Sequence, residues 1–510
     1  MILSDKVIMS ANSGKTLKDQ LSKHKINKRD RAPLEKFRGK LTTRFAPEPS
    51  GSLHIGHCKA IVLNYKIATE FDGRFLLRLD NTNPEKESID FENGILQDVA
   101  TLGAKYDQLS RTSDYFPLIL SYADSLVDQG LAYVDDTPPN QMKAERDGRI
   151  DSANRDNSID VNQALWADMK SGSKTDAVLR IKMDMQNVNG CLRDPTIYRF
   201  IDKPHQHTGD TYKVYPTYDF ACPIVDHVEG VTHVYRSVEF TDRDSQYLWI
   251  LKLLGLPKIK LNSFGKVIFQ DIVTSKRKIN ALIQSGDVSG WDDPRLLTVK
   301  GALRRGMCLE AIIDFAASMG FSKNNVNMTT DKLWAVNKKF VDKMAVRYVA
   351  IPTANLVEYT VDFNGYDPNM KKEIRKVHRN PSMGTRPVSY DDTVFMWDDE
   401  VDATNDGEEI TLMNWGNAFI DKTNRVLKLN LDGDFKTTNH KMLWVPKTKS
   451  VPLRVVTYGD IGDDPVVEDY LAEDYAMNIQ KDDLVQLFKL RFYRCDSVSD
   501  GDGVITLIKT

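Results

Sequence analysis

Nothing in this chain of 510 residues is apolar for long enough to cross a membrane as a helix, and the N-terminus lacks the continuous apolar core of a secretory signal. A cytoplasmic chain with no membrane partner is therefore expected. Cysteine is scarce. Cys58, Cys191, Cys222, Cys308 and Cys495 are dispersed without any C-x-x-C spacing, which leaves no obvious zinc cage and agrees with a reducing compartment, so no structural metal is expected. An excess of either charge is also missing: 69 basic and 72 acidic residues give a net charge of -3. Any nucleic-acid partner has to be met by local patches and not by a globally cationic surface. The one local asymmetry is at the start, where residues 1–40 hold eleven Lys/Arg against four Asp/Glu, so that the remainder stands at -10. That stretch is poor in apolar periodicity and reads as a flexible arm, and its acidic residues Asp5, Asp19, Asp30 and Glu35 count against a mitochondrial presequence.

What is present is organised around Arg44 to Lys59, R-F-A-P-E-P-S-G-S-L-H-I-G-H-C-K. Leu41 to Ala46 is β-branched and apolar, and Pro47, Pro49 and Gly51 break it, which predicts a short buried strand and a tight turn. Cys58, Ile61, Val62, Tyr65 and Ala68 then recur at helical spacing, predicting an amphipathic helix to about Phe71. His54 and His57 fall on its first turn and on one face, and Gly56 between them leaves the backbone open to a ligand. Free amides and the dipole at such a helix start favour an anion such as phosphate. An isolated pair of this kind is by default a metal site or two surface histidines. Here the missing further ligands and the Pro/Gly turn argue for the anion.

Gly73 to Asp80 reads as a second buried strand ending in the polar turn Asn81-Thr82-Asn83-Pro84, so strand, helix and strand form a βαβ unit with Asp80 at the carboxyl end where ligands collect. Alone, Asp80 would be a turn former. Ile89 to Leu102 and Asp114 to Gln129 read as crossover helices, and from Thr137 the composition shifts to polar helical pieces and then to the strand-like Ala177 to Met185 and Leu192 to Ile201. Val231 to Arg236 alternates as a strand and ends on a charge. Without their context Tyr218 would be a core aromatic and Arg236 a surface ion pair. Asp271 to Lys278 places Lys276, Arg277 and Lys278 in a turn after Ser275, Asp293 reads as a helix N-cap before Pro294, and a helical stretch runs to about Lys343. Beyond Arg347 short strands separated by Asp, Gly, Asn and Pro turns predict β-barrels: Val394 to Trp397, Ile410 to Leu412, Val426 to Leu431, Lys441 to Val445, Leu453 to Tyr458, Leu484 to Tyr493 and Val504 to Ile508.

The R-F-A-P and His-Ile-Gly-His segment, L-R-L-D-N-T-N-P-E-K from Leu77, Y-P-T-Y-D-F-A-C-P-I-V-D from Tyr215 with E-G-V-T-H from Glu229, and D-I-V-T-S-K-R-K from Asp271 together resemble the eukaryotic and archaeal branch of the glutamyl- and glutaminyl-tRNA synthetases, class I aminoacyl-tRNA synthetases, from Arg44 to the C-terminus. The resemblance implies an α/β fold: a Rossmann-like catalytic domain in two halves, 41–136 and 211–285, interrupted by an acceptor-binding insertion at 137–210, then a helical connector at 286–346 and all-β anticodon-binding barrels at 347–510, with 1–40 a basic extension. It implies that His54, Gly56, His57, Ser275, Lys276 and Arg277 bind ATP, used as a substrate with Mg2+, that His54, His57 and Lys276 assist the chemistry, and that Arg44, Asp80, Tyr218 and Arg236 bind glutamate. Val273 and Thr274 depart from the commoner K-M-S-K-S form of the last motif.

Arg236 is the position that separates the two enzymes, since glutamyl enzymes hold an arginine there and glutaminyl enzymes a small uncharged residue. A guanidinium fork suits a carboxylate, whereas an amide turns an NH2 toward a group that can only donate. The expected activity is glutamate–tRNA ligation, with L-glutamate, ATP and tRNA(Glu) as partners and with multi-synthetase or scaffold partners left open. Two alternatives stay open as well: a glutaminyl-tRNA synthetase, and a non-catalytic tRNA-binding derivative. Arg375, Arg379, Trp415 and Arg491 are unranked candidates for reading the anticodon.

Overall fold

The computed structural model describes residues 16–367, 372–501 and 503–510. Two compact units are present, one made of the chain up to Asp271 together with Ile312–Thr330 and the other of Ile272–Ala311 together with Asp331–Thr510. No helix among the described residues is long and apolar enough to cross a membrane.

In the first unit, α1 (Leu17–Leu21) and α2 (Lys28–Glu35) are each started by a side-chain cap, Thr16 Oγ1 accepting from Asp19 N at 3.2 Å and Asn27 Oδ1 from Asp30 N at 2.9 Å. Leu17 and Leu21 are buried, and Ile26 and Leu34 join a core with Leu41, Leu63, Ile67 and Phe71. The expectation of a flexible arm is thus corrected over 16–40. Four apolar anchors in a highly charged segment suffice to dock two short helices, while residues 1–15 lie outside the described residues. Next come β1 (Thr42–Phe45), α3 (Ile55–Glu70), β2 (Arg74–Leu79), α4 (Ile89–Thr101) and β3 (Gln108–Arg111). The three strands form a parallel sheet in the order β1-β2-β3, with Thr42 opposite Arg74 and Leu76 opposite Gln108. Gly73 opens β2 because a Cβ there would stand 2.1 Å from the Leu41 carbonyl oxygen.

After α5 (Phe116–Asp128), the strands β4 (Ala132–Asp135), β5 (Val178–Ile181), β6 (Thr196–Phe200) and β7 (Val214–Pro216) make an antiparallel sheet in chain order, with α6 (Pro139–Gly148) and α7 (Ile159–Ser171) between β4 and β5. The chain then returns through α8 (Tyr218–Val228), β8 (His233–Ser237), α9 (Asp244–Leu253) and β9 (Lys260–Phe264), β8 and β9 being parallel. Thr232, just before β8, joins it to β1: its backbone N–H donates to the Thr42 carbonyl at 3.0 Å and its Oγ1 accepts from Thr42 N at 2.9 Å. Asn64 of α3 bridges the same strands, its carbonyl accepting from Thr43 Oγ1 and its Nδ2 donating to the Tyr235 carbonyl. Strand order therefore reverses direction in sequence between β1 and β8, and such a switch point opens a crevice beyond the strand ends.

The second unit carries the helices Val299–Arg304 and Asp331–Met344 and two seven-stranded sheets. The expected cap at Asp293 is corrected. No helix begins there, because the carboxylate is spent on the backbone N–H groups of Ser289 and Arg295 and on the Arg295 guanidinium, and the helix starts at Val299 with Thr298 as its cap. In one sheet the edge strands are Val346–Tyr348 and Ala350–Pro352, and in the other Lys441–Met442 and Trp444–Pro446. A single residue, Val349 or Leu443, separates the two edges of each sheet, so each sheet curls until its ends nearly meet, which removes open edges. Val349, Ile351, Leu443 and Val445 pack together as one apolar cluster. Lys441 to Val445 is accordingly two strands, and Leu484 to Tyr493 is a hairpin of Leu484–Leu487 and Phe492–Val498 turned at Lys489, which has φ +60°.

Glu473 holds the Val349 corner: one oxygen accepts from Val349 N and from Arg386 Nη2, both at 2.6 Å, in a buried setting. Glu473→Ala leaves a buried guanidinium and a buried N–H without their acceptor, and it is expected to lower the unfolding free energy by about 3–5 kcal/mol, seen as a fall in the denaturant midpoint of the purified protein.

Candidate active site

At the start of α3 the two imidazoles are fixed by the backbone they cap. His54 is the N-cap residue, in extended conformation, and not part of the first turn; its Nδ1 accepts from Gly56 N at 3.0 Å, while His57 Nδ1 accepts from His54 N at 3.1 Å. The rings lie 3.8 Å apart between centroids with 30° between planes. Because both Nδ1 atoms act as acceptors, the neutral rings carry their protons on Nε2, which makes that nitrogen of each a donor. Gly56 has no room for a side chain, since a Cβ would stand 2.7 Å from His54 Cε1. The turn before the helix is tied down by Leu53 N donating to buried Asp98, and by Asp80 N and Ser88 N donating to the carbonyls of Pro47 and Pro49.

Beneath the ends of β1, β2 and β8 lies a buried ionic network. Asp226 of α8, fully buried, accepts from Arg44 Nε at 3.0 Å and Nη2 at 3.3 Å, from Arg78 Nη2 at 2.6 Å and from Tyr247 OH at 2.9 Å. Arg78 also donates to Glu229 at 2.8 Å, which in turn accepts from Ser110 and Tyr115. Burial alone would raise the Asp226 carboxyl, but the two guanidiniums outweigh it and hold the group well below the usual carboxylate range. Arg44, expected as a ligand clamp, thus presents two of its N–H groups to an internal carboxylate.

Around this base stand the other expected glutamate-binding residues. Tyr218, the first residue of α8, feels the charges of both Arg44 and Arg236 and is kept neutral by burial. Arg236, near the end of β8, is buried with its guanidinium 5.3 Å from the Phe240 ring and 5.4 Å from the Tyr247 ring, and Nη2 donates to Asp244 at 2.6 Å. Asp80, just past β2, is buried and accepts from Thr112 Oγ1 at 3.1 Å; burial lifts its carboxyl to about 6 against the pull of Arg78. Arg44, Asp80, Tyr218 and Arg236 are therefore brought to one edge of the parallel strands.

Ser275, Lys276 and Arg277 belong to the second unit. Ser275 is the N-cap residue of the helix Lys276–Ser285, so Lys276 and Arg277 occupy the first turn of a helix and not an isolated turn. Cations there reinforce the positive end of the helix dipole instead of countering it, an arrangement favourable to an arriving anion. Among the anticodon candidates, Trp415 is a core residue stacked on Tyr390 at 4.6 Å and 11° and packed on Trp444, which removes it as a base platform. Arg379 pairs with Asp342, Arg491 lines a cavity of about 470 Å³ with Lys489 and Lys509, and the Arg375 side chain lies outside the described residues. Among the described residues, no group of three or more His, Cys, Asp or Glu side chains is arranged to hold a metal ion.

Sequence reading assigned no role to Arg78, Glu229 or Tyr247, and none to Asp226. Charges set inside the apolar runs L-L-R-L and C-P-I-V-D were the available signal, because a charge at a buried strand or helix position demands a partner.

The sequence matches two families of known domains: residues 40–343 match tRNA synthetases class I (E and Q), catalytic domain, and residues 345–434 the anti-codon binding domain of the same synthetases. The bifunctional glutamate/proline–tRNA ligase of Cricetulus griseus is 43% identical over 493 residues, which are 90% of this chain and 32% of that protein. The chain thus spans about a third of the length of the bifunctional relatives. The cytoplasmic glutamate–tRNA ligase of Saccharomyces cerevisiae is 39% identical over 519 residues, covering 96% of this chain and 72% of that one, and the probable cytoplasmic glutamate–tRNA ligase of Encephalitozoon cuniculi is 39% identical over 479 residues, covering 89% and 74%. A solved glutamate-tRNA synthetase from Elizabethkingia anophelis aligns with a TM-score of 0.45 at 19% identity, over 60% of this chain and 71% of that one.

Removing the carboxylate that both Arg44 and Arg78 share should be costly. Asp226→Ala leaves two guanidiniums buried without it, and the expected loss of unfolding free energy is about 3–5 kcal/mol, checked by equilibrium denaturation with Asp226→Asn as the milder companion.

Proposed function

The chain belongs to the class I tRNA synthetases of the E and Q type, and from that premise we propose that it is a cytoplasmic glutamate–tRNA ligase acting on L-glutamate, Mg-ATP and tRNA(Glu). The glutamate α-carboxylate attacks the α-phosphorus of ATP, the bond to pyrophosphate breaks, and glutamyl-adenylate results. A ribose hydroxyl of the terminal adenosine then attacks the activated carbonyl, giving up its proton, and AMP leaves. Little covalent work falls to the protein, so its contribution is position and charge. His54 and His57 offer Nε2–H donors to the triphosphate, and Gly56 lets the backbone approach it. Asp80 receives the α-ammonium.

The observation that carries the choice of glutamate is Arg236, a buried cation beside Tyr218 whose Nε has no acceptor among the described residues. A carboxylate meets that need, whereas the amide of glutamine brings an NH2 group to a donor and leaves buried polar groups unpaired. Arg44 contributes positive charge from the pocket floor, through a guanidinium whose orientation Asp226 fixes.

ATP–pyrophosphate exchange in the presence of tRNA is the test. Glutamate is expected to support exchange at least about 10⁴-fold better than glutamine in kcat/KM, and a preference for glutamine rejects the reading. Arg236→Cys should lower kcat/KM for glutamate by about 10²-fold or more and erase the preference. A pH dependence follows from Asp80. Its carboxyl takes up a proton as pH falls through about 6, so the ammonium contact is intact above that value and lost below it. KM for glutamate should rise about tenfold per unit below pH 6, and the Asp80→Asn variant should be insensitive over that range.

A further inference from the structure

Arg236 and its ion-pair partner are unequal. The Arg236 side chain is 5% exposed, while the Asp244 side chain is 28% exposed. Among the described residues Asp244 Oδ1 is the one hydrogen-bond acceptor that Arg236 has, reached by Nη2 alone, and Nε is buried without any. The Phe240 and Tyr247 rings stand 5.3 and 5.4 Å from the guanidinium carbon, and its N–H groups donate in the guanidinium plane. Asp244 is the first residue of α9, where the helix dipole and water support a free carboxylate. One partner can be released cheaply and the other cannot be left alone.

We propose that Asp244 is a placeholder for the substrate's side-chain carboxylate. In the empty pocket it keeps Arg236 charged and oriented with a single hydrogen bond; an arriving acid takes its place and, as a bidentate ligand, can pair Nε as well as Nη2, while Asp244 turns to solvent at the start of α9. A neutral amide cannot complete this exchange, because it offers one acceptor oxygen and no charge to compensate for the lost ion pair. Asp244 is thus a specificity-determining residue that acts through Arg236. The inference rests on the reading that the pocket takes glutamate.

The test uses the full chain carrying Asp244→Asn, with tRNA present, and reads exchange kinetics together with inhibition by sodium acetate as a probe of an unoccupied guanidinium. With the competitor gone, KM for glutamate is expected to fall about fivefold with kcat little changed, and acetate should compete with glutamate at a concentration about fivefold lower than for the unaltered chain. A rise in KM, or acetate inhibition equal in both proteins, overturns the proposal, since Asp244 would then be a fixed support for Arg236 or a bystander. Asp244→Ser is run beside it; loss of folding in both variants also overturns it, because a placeholder does not carry the fold. The two possible failures are distinct. A preference of the unaltered chain for glutamine sinks the substrate reading, whereas the Asp244 comparison is made against the unaltered chain on its own preferred amino acid.

Discussion

One buried carboxylate, Asp226, holds β1, β2 and α8 in register at the ligand edge of the sheet. Arg44 comes from β1, Arg78 from β2 and Tyr247 from α9, and all three point their donors at it. Taking these charges out of water carries a large desolvation penalty, which is offset only because each oxygen is satisfied more than once and because Glu229 balances the second guanidinium. Two cations and two anions make this base neutral, so the arginines remain charged at any physiological pH. The proposed amino-acid pocket stands on that base and inherits its geometry.

At the proposed nucleotide end, short-range backbone contacts hold the paired imidazoles. Each imidazole at the start of α3 accepts an N–H from the same turn at Nδ1, which leaves Nε2 as the protonated nitrogen of the neutral ring. That arrangement is local in sequence, and it depends on Gly56 having no side chain. The turn ahead of it is anchored on Asp98 and on the loop after β2, so the proposed phosphate cradle and Asp80 share a support.

These two logics explain what the residues alone could disclose. The strands and helices from Leu41 to Leu102 were legible because apolar periodicity and the Pro/Gly turn are local signals, and the histidine pair was legible for the same reason. Asp226 was not, since its partners lie 182 and 148 residues away in the chain. The docking of residues 16–40 was missed because charge outweighed four spaced apolar residues, and Trp415 looked like a base platform until Tyr390 and Trp444 were found on its faces. Strands in the second unit were found in outline, but Val349 and Leu443, which turn flat sheets into curled ones, carry no mark in the sequence, because a one-residue corner is defined by which strands it joins.

The pairing of every arginine in the proposed pocket has a consequence for recognition. Arg44 and Arg78 are matched by Asp226 and Glu229, and Arg236 by Asp244. An acid ligand therefore meets no reservoir of unpaired positive charge, and its binding energy is the difference between the contacts it makes and those it replaces. Such a site holds its ligand less tightly than one with a bare cation would. It also keeps a buried arginine from standing alone, and it confines the gain on binding to a ligand able to satisfy two donors at once, which is a requirement of shape as much as of charge.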